Sequence, residues 1–98
     1  MKVKELLKNP ENWTQGYHAR DVNNIETGLC SADATKFCLA GAVIRCYALT
    51  NNEVLNKIMD YLKTHGDLPD GIDTIAGFND NPNTTHEKIL EMVTALDI

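Results

Sequence analysis

The chain has 98 residues, enough for one domain and one core without disulfides or metal. Fourteen acidic residues against nine basic give a net charge of -5, which repels nucleic acid backbones and anionic membranes, and no basic run offsets it. The acidic residues are scattered, so a nucleic acid mimic is not expected either.

Residues 1–9 are charged and amphipathic, without the apolar core of a signal peptide. Val3, Leu6 and Leu7 share one face of a short helix that Pro10 stops. Trp13 to Asp21 is aromatic and glycine-bearing, which suits a loop leading into a strand. Val22-Asn23-Asn24-Ile25 has the chemistry of a tight turn, with Asn where positive φ is tolerated. A two-stranded hairpin over about Tyr17 to Gly28 follows from it.

The stretch Ala34 to Leu49 contains only Lys36 and Arg45 as charges. Its apolar residues fall on every side of a helical wheel, the mark of a helix in the middle of a domain. Ser31 is its expected N-cap, with Asp33 in the first turn. Thr50 to Glu53 forms a capping box for the next helix, which carries Val54, Leu55, Ile58, Met59 and Leu62 on one face. Gly66 closes that helix, and residues 67–71 form a turn. Residues 72–78 allow about one helical turn, and residues 79–83 form a polar loop. Thr84 and Glu87 make a second capping box, and Ile89, Leu90, Val93 and Leu96 give the last helix its buried face.

The expected fold is therefore mostly α, within the α+β class. It is a single domain over residues 1–98, with four to five short helices around a central apolar helix and one small β-hairpin. Trp13, Phe37, Tyr47, Tyr61 and Phe78 are the aromatic candidates for its core.

Three blocks in this order carry a resemblance: Trp-Thr-x-Gly-x-x-Ala-Arg-Asp (13–21), Phe-Cys-Leu-x-Gly-Ala (37–42), and Phe-Asn-Asp-x-Pro-x-x-Thr-His-Glu-x-Ile-Leu (78–90). Together they resemble a family of small uncharacterised proteins from bacteria and their phages. Phe78 stands where that family usually has Trp. The resemblance implies a shared fold and supplies no activity.

The residues themselves offer one catalytic candidate. Cys38 near the start of the central helix, His86 at the start of the last helix and Asp80 before it are the parts of a thiol hydrolase of the amidase or peptidase kind. The competing expectation is a structural cysteine, because Phe37, Leu39 and Val43 around Cys38 favour burial and burial raises a thiol pKa. Trp13, Arg20, Asp21 and Asn79 are the binding candidates. A half-buried Arg20 beside Trp13 suits a carboxylate or phosphate, whereas an ion pair with Asp80 would make it structural. The polar 79–84 segment is equally explained by side-chain caps.

Cys30, Cys38 and Cys46 recur every eight residues, a step of about 80° around a helix that does not converge on one ligand set. No metal and no cofactor are expected. Three cysteines, an odd number, fit a reducing compartment. The sequence thus describes a cytoplasmic protein without a membrane segment, whose partner is a protein or small molecule and not nucleic acid. Monomer and homodimer are both open. A binding or interaction protein of bacterial or phage origin, without catalysis of its own, is the first reading, and the thiol hydrolase is the alternative.

Overall fold

The computed structural model describes residues 1–47, 52–65 and 75–98. In chain order they form α1 (Val3–Leu6), a single 3-10 turn (Pro10–Asn12), β1 (Ala19–Arg20), β2 (Lys36–Phe37), α2 (Leu39–Tyr47), α3 (Asn52–Thr64), α4 (Ile75–Asp80) and α5 (His86–Leu96). Five α-helices and a two-stranded antiparallel sheet make the chain mostly α with a small β element, as the sequence predicts. Helix α2 packs on α1, α3 and α4, while α5 closes the far side against α1 and α3.

The sheet departs from the expected hairpin. The turn after Arg20 forms as predicted: Asn24 takes φ 65°, and the Asp21 carboxylate accepts from the backbone N–H groups of Asn23 and Ile25. The returning strand, however, makes only one bridge, Arg20 to Glu26. The sheet partner of β1 is β2, with Ala19 opposite Phe37 and Arg20 opposite Lys36. On the other side of β2, Trp13 bridges Phe37, and the Thr14 N–H donates to the Phe37 carbonyl.

This pairing shortens the central helix. The backbone of residues 35–38 is used up by the sheet, since Thr35 N–H donates to Arg20 and Cys38 N–H to His18. Thr35 and Phe37 are β-branched and aromatic, and a pleated half-buried surface suits both. Helix α2 therefore begins at Leu39 and not near Ala34. Ser31 caps no helix; its hydroxyl accepts from Asp33 N–H in a local turn. Nor is α2 buried all round: Leu39, Gly41, Ala42 and Val43 are buried, but Arg45 is exposed. The expected end near Leu49, the Thr50 cap, the Gly66 stop and the 67–71 turn lie outside the described residues.

The remaining helices follow their apolar periodicity. Val54, Ile58 and Leu62 of α3 are buried, with Leu55 and Met59 packed at the edge of the core. In α5 the buried set is Ile89, Met92 and Val93, while Leu90 and Leu96 are partly covered. The cap of α5 sits one residue later than expected: Thr85 accepts from Lys88 N–H. Thr84 instead donates its hydroxyl to the Phe78 carbonyl at 2.7 Å. Asn79 and Asp80, expected in a loop, are the last residues of α4.

The two ends of the described chain meet. The Ile98 carbonyl accepts from Val3 N–H and from the Tyr47 hydroxyl, both at 2.6 Å. Asp97, in the left-handed region at φ 54°, lies between Lys4 and Lys2, the latter at 3.0 Å. These lysines, Lys4 foremost, hold its carboxyl down from 3.8 to about 2. A depressed carboxyl stabilises the fold above its unfolded value and loses that contribution as pH falls towards 2. Asp97→Asn keeps a residue tolerant of the left-handed region and removes the charge. Solvent screening keeps the effect small. Thermal melts should show the wild type above Asp97→Asn at pH 6, with the gap closing by pH 2.

Candidate functional site

The three sequence blocks meet at Asn79. Its side chain is fully buried and uses all its hydrogen-bonding capacity. Oδ1 accepts from the Trp13 indole Nε1 at 2.7 Å and from the Leu39 backbone N–H at 2.9 Å. Nδ2 donates to the Thr14 carbonyl at 3.1 Å and to Asp80 Oδ1 at 3.0 Å. One amide thus joins the Trp13 segment, the first turn of α2 and the end of α4. The Leu39 N–H is one of the donors that a helix start leaves without an intrahelical partner, so Asn79 caps α2 from another element.

Neighbouring residues repeat the connection. Gln15 donates to the carbonyls of Asn79 and Asn81, and Gly16 N–H donates to Asp80 Oδ1 at 2.9 Å. Gly16 has φ +90°, a conformation that a side chain would strain, and this orients its N–H towards the carboxylate. Gln15 and Gly16 were not singled out from the sequence as site residues. The positive φ behind the block's glycine is the signal that could have marked them.

Cys38 is the N-cap of α2. Its carbonyl accepts the first helical bond, from Ala42 N–H, and its sulfur accepts from Gly41 N–H at 3.2 Å. The residue is 4% exposed. Burial pushes the thiol pKa up, against the opposing pull of the Gly41 N–H. His86 Nε2 lies 2.6 Å from the Leu7 carbonyl. A carbonyl only accepts, so that nitrogen carries the proton and does not serve as a base. The imidazole also rests against the Trp13 ring, 6.3 Å between centroids. No hydrogen bond joins Cys38, His86 and Asp80 into a relay among the described residues.

Arg20 makes no ion pair with Asp80 among the described residues. Its guanidinium donates to the carbonyls of Asn24 and Gln15 and lies 4.5 Å above the Tyr17 ring. Its Nε is buried without a partner. Asp21 is occupied in the turn described above. Trp13, Arg20, Asp21 and Asn79 therefore all lie in one connected region, each holding backbone or another side chain.

Beside this junction lies a cavity of about 270 Å³, lined by Gly16, Tyr17, His18, Glu26, Cys38, Ala76 and Asp80. Of the site residues expected from sequence, Cys38 and Asp80 reach it, whereas Trp13, Arg20, Asp21, Asn79 and His86 do not line it. Tyr17, His18 and Glu26 are its unanticipated walls. Among the described residues no group of three His, Cys, Asp or Glu side chains could hold a metal ion. No helix among them is long and apolar enough to cross a membrane.

A family model for a family of unknown function, DUF6197, matches residues 1–96. The chain belongs to the DUF6197 family. Comparison with curated proteins and with solved structures finds no match. The DUF6197 match covers all the elements above, from α1 to α5, and so includes the Asn79 junction and the adjoining cavity.

Proposed function

We propose that this DUF6197 protein is a small soluble binding or interaction module of bacterial or phage origin, working in the cytoplasm without catalysis of its own. The observation that carries the reading is the use made of the two best catalytic candidates. The Cys38 sulfur caps α2, and one of the two His86 ring nitrogens, Nε2, is taken by the Leu7 carbonyl, with no hydrogen bond from His86 to Cys38 among the described residues. A thiol nucleophile needs a lowered pKa and a base in hydrogen-bond reach. Burial pushes Cys38 the other way. Support for a cytoplasmic setting comes from the free thiols Cys30, Cys38 and Cys46.

The test is the alkylation rate of the native protein's thiols across pH, resolved by peptide mass spectrometry. Exposed Cys30 should react with iodoacetamide through the neutral range, while Cys38 stays unlabelled until the chain unfolds. Labelling of Cys38 at pH 6 ahead of Cys30 would instead mean an accessible thiolate. That result would put the thiol hydrolase, with Cys38 as nucleophile, in place of the binding module.

A further inference from the structure

We infer that the arm from Tyr17 to Glu26 and the cavity beside it dock a segment of a protein partner in which a Lys or Arg is flanked by apolar residues. This deepens the binding-module reading, on which it rests, by naming the ligand class.

The apolar half of the surface is the arm. Tyr17 is 45% exposed, Val22 76% and Ile25 61%; apart from Met1, these are all the exposed large hydrophobic residues among those described. Three such side chains fall within nine residues, a concentration of exposed apolar groups found nowhere else among the described residues. The arm is also braced. The Asp21 carboxylate holds two N–H groups of the turn, Asp21 N–H donates to the Ile25 carbonyl at 2.8 Å, and Arg20 holds the Asn24 carbonyl at 3.0 Å. A turn tied this way cannot fold Val22 and Ile25 inward. Its ordering entropy is lost on folding, so little is lost again on binding.

The charged half is the cavity, which Tyr17 and Glu26 of the arm share with Asp80. Neither carboxylate has a basic partner among the described residues. Arg20, on the same arm, does not line the cavity; its guanidinium donates to two carbonyls and stacks over the Tyr17 ring. The Asp80 carboxylate is held by two donors on Oδ1, from Gly16 and Asn79, which leaves Oδ2 without a donor among the described residues. Ala76 and Cys38 give an apolar wall against which an alkyl stem can lie. The volume, about 270 Å³, falls just below the roughly 300–1,000 Å³ of drug-sized pockets and suits one long side chain. A second copy of the chain is a poor occupant, because each carries a net charge of -5 and the same two cavity carboxylates, Glu26 and Asp80.

The experiment selects a random peptide library displayed on phage against the purified full chain. Enriched peptides are then titrated calorimetrically against the wild type, Glu26→Gln and the double variant Val22→Ser/Ile25→Ser. All three substituted residues are exposed, and circular dichroism confirms that the variants keep the fold. The expected result is enrichment of peptides with Lys or Arg next to aliphatic or aromatic residues. Their affinity should fall about tenfold or more in each variant, and fall with added salt. Peptides lacking a basic residue, affinities unchanged in the variants, or no enrichment at all would overturn the inference. So would self-association that the double variant abolishes, since that makes a second copy the occupant. None of these outcomes bears on Cys38, so failure of the docking surface stays distinct from failure of the non-catalytic reading, which thiol alkylation decides.

Discussion

Asn79→Ala is expected to destabilise the protein by about 4 kcal/mol, a fall in melting temperature of roughly 15–30 °C for a domain of this size. The substitution removes four hydrogen bonds at once. It leaves the Leu39 N–H without its acceptor inside the core, where unpaired donors cost about 1–3 kcal/mol each. The Trp13 indole and the Thr14 carbonyl are only half-buried, so water recovers part of their loss. Asn79→Asp separates acceptor from donor roles. It keeps an oxygen for Trp13 and Leu39 but loses both donors, and it sets a second carboxylate beside Asp80. Two adjacent carboxylates resist joint ionisation, so the folded pKa rises and the destabilisation is largest above the ordinary carboxylate range. Urea melts at pH 7 and pH 4 should show the gap to wild type narrowing at the lower pH. A deficit equal at both pH values would mean that Asp80 is not beside the substituted group.

Gly41→Ala carries the second large effect, with a sign opposite to helix propensity. In an exposed helix interior alanine is better than glycine by about 1 kcal/mol. Here a Cβ would stand 2.3 Å from the His18 carbonyl oxygen and 3.1 Å from its carbon. Both are backbone atoms, pinned because the same carbonyl accepts the Cys38 N–H. The chain must shift α2 away from β1, so a loss of about 3 kcal/mol is expected, at the upper end of overpacking costs. Chemical denaturation measures it. A neutral or stabilising result would show that α2 and the His18 segment are not in contact.

The close approach of Gly41 to His18 has no local signature in the sequence. The periodicity of α3 and α5 is local, and their buried faces were legible from it. The start of α2 was not. Residues 34–38 have helical apolarity, but their backbone is claimed by residues 18–20, far away in the chain. Long-range pairing of this kind leaves no periodic trace in either segment. The Asn24 turn was recognisable from its residues, whereas its strand partner was not, for the same reason.

The candidate site was legible as a set of residues and not as a set of roles. Trp13, Asn79 and Asp80 lie in two of the three blocks, and their hydrogen bonds join all three. Cys38 and His86 invite a catalytic reading from inventory alone, and only geometry assigns the sulfur to a helix cap and the imidazole to a carbonyl. Tyr17, Val22 and Ile25 read in the sequence only as turn and strand residues, and Glu26 carries no signal of its own. Their exposure depends on where the arm sits, which the sequence does not encode locally.

Asn79 holds the Trp13 segment against the start of α2. The chain has one tryptophan, so its indole N–H gives a single, self-assigned proton resonance. The most direct measurement is hydrogen exchange of that proton in the wild type and in Asn79→Asp. The indole N–H should be protected in both, because either side chain presents an oxygen to it, and released in Asn79→Ala. Exchange within the dead time in the wild type, in a chain whose α5 amides remain protected, would contradict it.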